Sequence, residues 1–151
     1  MPTPFPYRPL LAAVSLAITM AGCAAGPPPR AHHPAYLHAL SDLRAARWLI
    51  EHRPGNWAQT ADEREAVRQI DASINDLKQA AYTDGKNFGY HPPVDEHPDH
   101  PGRIHEALEY LRKARADISS EEDNPNAQGW RNRALGHIDA AIASSRAVFH
   151  D

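Results

Sequence analysis

An internal repeat constrains the fold of this chain more than any other feature of its sequence. When the sequence is aligned with itself at an offset of 68 residues, thirteen positions between residues 39 and 82 match without a gap, and nine of them are not alanine. The longer side chains that recur include Leu40, Leu43, Arg47, Ile70 and Asp71, matched by Leu108, Leu111, Arg115, Ile138 and Asp139. A constant register over this length indicates a duplicated structural unit.

Each copy of the repeat is predicted to form two helices, because its apolar residues recur every three or four positions. The two stripes of the first copy are Tyr36, Leu40, Leu43 and Ile50, then Val67, Ile70, Ile74 and Leu77. The second copy repeats them as Ile104, Leu108, Leu111 and Ile118, then Leu135, Ile138, Ile142 and Phe149. No segment alternates with a period of two over a useful length, so strands are not expected. The sequence therefore predicts an all-α protein, an antiparallel four-helix bundle made of two tandem helical hairpins.

Local signals set the boundaries of these elements. Thr60 and Glu63 have the spacing of a helix capping box, and Asn124-Pro125 suits the start of the last helix. Asp84-Gly85 provides a helix stop after the first copy. The expected bundle covers residues 34–151, with the first repeat over about 34–83, a His- and Pro-rich connection over 84–101, and the second repeat over about 102–151.

The N-terminal residues have the composition of an export signal. Residues 10–20 are apolar and uncharged, which is too short for the roughly 20 residues that span a bilayer, and Arg8 precedes them. Residues 1–22 are therefore predicted to be a signal peptide. The sequence Met20-Ala21-Gly22-Cys23 that ends this segment resembles the lipobox of bacterial lipoproteins.

This resemblance implies that cleavage precedes Cys23 and that the Cys23 thiol carries a diacylglyceryl group. Residues 23–33 would then be the lipid-attachment site and a Pro-rich tether. Because Ala24 follows the cysteine, the resemblance also implies the outer membrane, facing the periplasm. The alternative is a conventional signal peptide cleaved after Ala24 or Ala25, which would release a soluble periplasmic or secreted protein. The rest of the chain resembles small helical lipoproteins of bacterial envelopes in general pattern only.

Charge and cysteine content exclude several classes of protein. The chain has 16 Lys and Arg against 19 Asp and Glu, and removal of residues 1–22 takes away one Arg, which leaves 15 − 19 = −4. A negative balance disfavours nucleic acid as a partner. The single cysteine excludes an intramolecular disulfide and a zinc site built from thiolates.

Two arginines and one aspartate recur in both copies, as Arg44, Arg47 and Asp71 and as Arg112, Arg115 and Asp139. Arg47 shares a stripe with apolar residues, so its stem is expected inside the bundle, and Asp71 borders Ile70. Since an isolated buried charge is costly, we interpret these residues as structural ion pairs between the helices of each hairpin. The alternative is a polar cavity near the pseudo-twofold axis that binds an anionic ligand through two arginines.

The connection between the repeats contains a cluster of histidines that includes His91, His97 and His100, with His105 just after it. Imidazoles and nearby carboxylates are ligands for zinc, copper or nickel, and the spacing of His97 and His100 can place two rings near one ion. The opposing interpretation is a solvated loop rich in Pro, Asp and His. Metal binding by His91, His97, His100 and His105 is therefore the second hypothesis for this protein.

Histidine and tryptophan also occur at noteworthy helical positions. His38 with Asp42, and His105 with Glu109, are each four residues apart on one predicted face. His137 borders the apolar stripe. Trp48, beside Leu49 and Ile50, is expected in the core, whereas Trp57 and Trp130 near helix starts are expected either to cap the core or to form a partner surface.

The residues contain no catalytic constellation, phosphate loop or calcium loop, so no enzyme activity is predicted. The first hypothesis is a non-enzymatic envelope lipoprotein whose helical module acts as a scaffold or binds a protein partner. It needs no cofactor. The alternative is a periplasmic protein that binds or buffers metal through its histidine-rich loop.

Overall fold

A computed structural model describes residues 35–53, 55, 58–85, 92–93, 102–119 and 124–150. These residues form four helices: α1 (Ala35–Glu51), α2 (Ala61–Thr83), α3 (Arg103–Ser119) and α4 (Pro125–Ala147). No strand occurs within those ranges. The predicted all-α class and the bundle of two tandem hairpins are confirmed.

The helices begin where the capping residues predict. Thr60 and Glu63 form the complete capping box of α2: the Glu63 backbone N–H donates to Thr60 Oγ1 at 3.1 Å, and the Thr60 N–H donates to Glu63 Oε2 at 2.8 Å. Asn124 caps α4, and Pro125 is its first residue. Gly85, just beyond α2, has a φ of 70°, a left-handed conformation that glycine adopts without strain.

The buried positions of the two repeats correspond at the offset of 68 residues, although the second helix of each repeat starts at a different position. The bounds of α3 lie 68 residues after those of α1, whereas α4 begins at Pro125 rather than at residue 129, one turn early. The early start follows from the Asn124-Pro125 cap, because Gln128 replaces the capping Thr60 in the second copy. The buried stripe is unaffected, since Ala66, Ile70 and Ile74 and their counterparts Ala134, Ile138 and Ile142 all lie in the core.

The core lies between all four helices and is built from aliphatic and alanine side chains. Buried positions recur in both repeats, and the largest fully buried apolar side chains are Tyr36, Leu40, Leu43, Ile50, Ile70, Leu77, Leu111, Ile118 and Ile138. Alanines at positions such as Ala46 and Ala114 are also fully buried, which allows neighbouring helices to approach closely. Burial of this stripe is the main source of stability for such helices.

Helices that occupy the same place in the two repeats pack against each other, so that α1 contacts α3 and α2 contacts α4. The order around the bundle is α1, α2, α4, α3, and among the described helices α1 lies diagonal to α4. Both pairs of equivalent helices are antiparallel. Arg103 at the start of α3 donates to the carbonyl oxygens of Leu49 and Ile50 at the end of α1, at 2.9 and 2.7 Å.

α2 and α4 are also antiparallel. Residues farther along α2 contact residues that come earlier in α4. Gln69 contacts His137, Ser73 contacts the carbonyl oxygen of Ala134, and Asp76 contacts Arg133. The two hairpins are therefore related by a pseudo-twofold axis that runs across the helices. It passes between α1 and α3 on one side and between α2 and α4 on the other.

This topology places the end of α2 and the start of α3 at opposite ends of the bundle. α2 ends at Thr83, but α3 begins beside Glu63, twenty residues earlier in α2, which corresponds to about 30 Å of helix. Pro92, midway in the connection, is buried, and its carbonyl oxygen accepts a 2.8 Å hydrogen bond from Ser41 Oγ in the middle of α1. The hydroxyl of Ser41 thus holds Pro92 against α1.

None of the described helices is both long enough and apolar enough to cross a membrane. The signal peptide, Cys23 and the tether predicted for residues 1–33 lie outside the described residues.

Candidate functional site

The repeated arginines and aspartates form one ion pair in each hairpin. Arg47 Nε lies 2.7 Å from Asp71 Oδ1, and Arg115 Nε lies 2.6 Å from Asp139 Oδ1. Arg47 also contacts Glu51 at 2.7 Å, one turn later in α1. The two pairs occupy equivalent places, between α1 and α2 and between α3 and α4.

These ion pairs do not lie in a polar interior. The side chains of Arg47 and Asp71 are 37% and 48% exposed, and those of Arg115 and Asp139 are 46% and 52% exposed. The guanidinium of Arg47 lies at the seam between the helices of its own hairpin, where it meets Asp71. Since the pseudo-twofold axis passes between the hairpins, the pairs cannot combine into an anion site on that axis.

The other two repeated arginines, Arg44 and Arg112, differ in their surroundings. Arg44 is half-buried, and burial lowers its pKa from the ordinary value for arginine, whereas Arg112 is exposed. The partners of Asp71 and Asp139 are instead Arg47 and Arg115. The arginines predicted as one constellation therefore lie in three different environments.

Three of the four histidines predicted as metal ligands, His91, His97 and His100, lie outside the described residues. His105 is exposed near the start of α3, and its ring packs on Phe149 with centroids 4.4 Å apart. Within the described parts of the chain, no three His, Cys, Asp or Glu side chains are grouped closely enough to hold a metal ion.

The helical histidines have different roles in packing. Asp42 is fully buried and His38 is half-buried, at neighbouring turns of α1. His137 bridges α2 and α4: its Nδ1 lies 2.7 Å from Gln69 Oε1, and its Nε2 lies 3.8 Å from Asp76 Oδ2. Because Gln69 uses its amide N–H to donate to Glu65, its oxygen faces His137, so that His137 Nδ1 is the donor.

The expectation that Trp48 belongs to the core is wrong. Its side chain is 56% exposed and stacks on His52, with ring centroids 4.4 Å apart. Trp48 precedes Ile50 by two residues, which is about 200° around the helix, so the two side chains point in different directions. Trp130 packs partly buried against the core, with the Arg133 guanidinium 4.0 Å from its ring centroid. Trp57 lies outside the described residues.

A buried cluster around Glu63 is the polar site that the sequence did not predict. The Glu63 side chain is fully buried at the end of the bundle where α1 ends and where α2 and α3 begin. Arg103 donates to Glu63 Oε1, and Arg53 Nε lies 3.1 Å from Glu63 Oε2. The cluster therefore ties three helices together through one carboxylate.

The environment of Glu63 favours its charged form. Burial by itself would raise the pKa of Glu63, but hydrogen bonds from Arg103 and from the Thr60 backbone, together with the positive charges of Arg103 and Arg53, outweigh burial and lower the pKa below its ordinary value. Both arginines are only about one-fifth exposed. The capping-box spacing gave the only sequence signal for this site, because Arg103 is separated from Glu63 by 40 residues.

Comparisons with protein families, with curated proteins and with solved structures find no significant match to this chain.

Proposed function

We propose that this chain is a non-enzymatic lipoprotein of the bacterial cell envelope, anchored through Cys23 in the outer membrane, and that its periplasmic helical bundle acts as a scaffold by binding a protein partner. The anchor is supported by the lipobox sequence that ends at Cys23. The binding role is supported by an aromatic side chain that the fold does not require.

That side chain is Trp48. It is largely exposed on α1, and the equivalent position of the second repeat is Ala116, which is also exposed. Because the second hairpin folds with an alanine there, packing does not demand a tryptophan at position 48. Tryptophan is enriched in protein interfaces, where its large rigid surface gives much of the binding energy.

Photo-cross-linking in the native envelope tests the binding role. A photoreactive residue placed at Trp48 is expected to give an adduct of one defined mass, whereas the same residue at Ala116 provides the matched control. In a separate affinity-capture experiment with the partner so identified, Trp48→Ala should abolish binding without changing the helical content. Equal labelling at both positions, or none at position 48, would contradict binding through this surface.

Mass spectrometry of the mature protein tests the anchor separately. The N-terminal peptide is expected to begin at Cys23 and to carry acyl chains. A mature chain that begins after Ala24 or Ala25 would show that the protein is released as a soluble periplasmic or secreted protein.

The second candidate function, metal binding by His91, His97, His100 and His105, is supported by the exposure of His105 next to the histidine-rich connection. Neutral imidazoles bind metal, so titration with zinc, copper or nickel should show binding at about pH 7.5 that weakens toward about pH 5. Joint replacement of the four histidines by alanine should abolish it. Replacement of His38 and His137, which lie outside the connection, is the control.

A further inference from the structure

The contacts between the hairpins do not follow the repeat, although the hairpins are copies of each other. Glu63 of the first hairpin, which comprises α1 and α2, binds Arg103 of the second hairpin, which comprises α3 and α4. Asp76 lies 3.4 Å from Arg133, again between hairpins. The positions equivalent to Arg103 and Arg133 in the first hairpin are Ala35 and Glu65.

Pairing of the first hairpin with an identical hairpin in this geometry would therefore be unfavourable. The offset of 68 residues would place Asp76 opposite Glu65 of the other copy, which brings two carboxylates together, and Glu63 would face Ala35 instead of a guanidinium. Glu63 would keep Arg53 but lose Arg103, and the loss of one of two cations from a buried carboxylate is destabilising.

Pairing of the second hairpin with itself is unfavourable for a corresponding reason. The position equivalent to Glu63 is Arg131, so Arg103 would face Arg131 of the other copy. Arg133 would face Ser144, the uncharged counterpart of Asp76. Pairing of either hairpin with a copy of itself therefore loses the Glu63–Arg103 and Asp76–Arg133 contacts. Both contacts form only when the first hairpin packs on the second.

We propose that the two hairpins form a specific recognition pair, so that two copies of this chain pair through the same surfaces, by exchange of hairpins, when the connection is too short to close within one chain. In such a dimer the first hairpin of one copy packs on the second hairpin of the other, twice. This dimer keeps the contacts that the two hairpins make within one chain, such as Glu63–Arg103 and Asp76–Arg133, so the exchange of hairpins needs no new interface. The proposal does not depend on the lipid anchor.

The connection decides between the closed monomer and the exchanged dimer. In one chain it must cover about 30 Å between Thr83 and Arg103. In an exchanged dimer with two bundles side by side and antiparallel, the end of α2 in one bundle lies next to the start of α3 in the other. A short connection therefore permits only the exchanged form.

Shortening the connection tests this directly, in the mature chain from residue 23 with Cys23→Ser so that no lipid contributes to association. Deletion of residues 86–99 leaves five residues between Thr83 and Arg103, which span at most about 22 Å. We expect light scattering to give twice the mass of one chain, with the helical content unchanged. The matched control replaces residues 86–99 by Gly and Ser at the same length, and it should stay monomeric.

A charge exchange distinguishes this dimer from association through another surface. In the shortened chain, Asp76→Arg brings two guanidinium groups together at the contact with Arg133. Arg133→Asp in a second shortened chain brings two carboxylates together at the contact with Asp76. A mixed dimer of the two variants restores an opposite-charge contact in both bundles. Native mass spectrometry should show mixed dimers about fivefold above their statistical share.

A shortened chain that is a folded monomer, or a purely statistical mixture of the two variants, would overturn the proposal. If the shortened chain does not fold, the two charge variants with full-length connections are unfolded together and refolded at high concentration. A mixed dimer that neither variant forms alone is then expected, and its absence overturns the proposal in the same way.

Discussion

Gln69 and His137 occupy the same position in the two repeats, and they contact each other, with Gln69 Oε1 2.7 Å from His137 Nδ1. A position meets its own counterpart only where a twofold axis passes, so this hydrogen bond marks the pseudo-twofold axis between α2 and α4. The two side chains differ, and as a result one accepts and the other donates. The duplicated hairpins have therefore diverged at their point of contact.

The Glu63 cluster is expected to contribute more to stability than any other described ion pair. Glu63→Ala leaves Arg53 and Arg103 partly buried without an anion and also removes half of the capping box, so we expect the free energy of unfolding to fall by about 3 to 5 kcal/mol. Glu63→Gln keeps the capping hydrogen bond and should cost less. Urea unfolding measures both variants. Glu65→Ala, on the exposed side of the same helix, is the control. If Glu63→Ala lowers the free energy of unfolding no more than Glu65→Ala does, the Glu63 cluster is not a major source of stability.

The lowered pKa of Glu63 predicts part of the acid sensitivity of the protein. Because the pKa is lower in the folded than in the unfolded state, the contribution of Glu63 to stability is fully present above its ordinary value of 4.5. It is lost as the pH falls below 4.5 and through the lower folded pKa. Unfolding midpoints measured from pH 7 downward should therefore fall less steeply in Glu63→Gln than in the wild type below about pH 4.5. If the unfolding midpoints of the two proteins fall in parallel as the pH is lowered, Glu63 is not the source of this acid sensitivity.

The Arg47–Asp71 pair should contribute little to stability, despite its recurrence in both hairpins. Both side chains remain more than one-third exposed, and water screens such pairs. A double-mutant cycle with Arg47→Ala and Asp71→Ala is expected to give a coupling of about 0.2 to 1 kcal/mol. Thermal or urea unfolding of the two single variants and the double variant provides the measurement. A coupling of about 3 kcal/mol or more would require a buried pair.

The core and the helix starts were predictable because each depends on short-range sequence. The three- and four-residue spacing of Ile70, Ile74 and Leu77 indicates which face of α2 is buried, and Thr60 with Glu63 indicates where that helix begins. The repeat then transfers the same expectation to α4.

The arrangement of the hairpins and the Glu63 site were not predictable, because each depends on contacts between distant residues. A repeat tells which face each hairpin buries, but not which helices become neighbours when two such faces meet. Arg103 reaches Glu63 only because α1 and α3 are antiparallel. Trp48 illustrates the opposite error, since its apolar neighbours in sequence, Leu49 and Ile50, do not share its face of the helix.

Two buried serines, Ser73 and Ser145, differ in whether their hydroxyl groups are hydrogen-bonded, and both have apolar counterparts in the other repeat. Ser73 Oγ donates to the carbonyl oxygen of Ala134 at 3.2 Å, which links α2 to α4. Ser145 is almost fully buried, and no hydrogen-bond partner for its Oγ is found among the described residues. The counterparts of these residues are Ala141 and Leu77, which are both buried and apolar.

A buried hydroxyl without a partner is destabilising, whereas a satisfied one contributes modestly, so the same substitution should have opposite effects at the two sites. Ser73→Ala is expected to lower the free energy of unfolding by about 1 kcal/mol, because the interhelical hydrogen bond is lost. Ser145→Ala should leave stability unchanged or raise it by up to about 1 kcal/mol, because the alanine fills nearly the same space without an unsatisfied oxygen. Urea midpoints of the two variants, measured in one series, test the contrast. Destabilisation by Ser145→Ala equal to that of Ser73→Ala would mean that Ser145 makes a hydrogen bond in the folded protein.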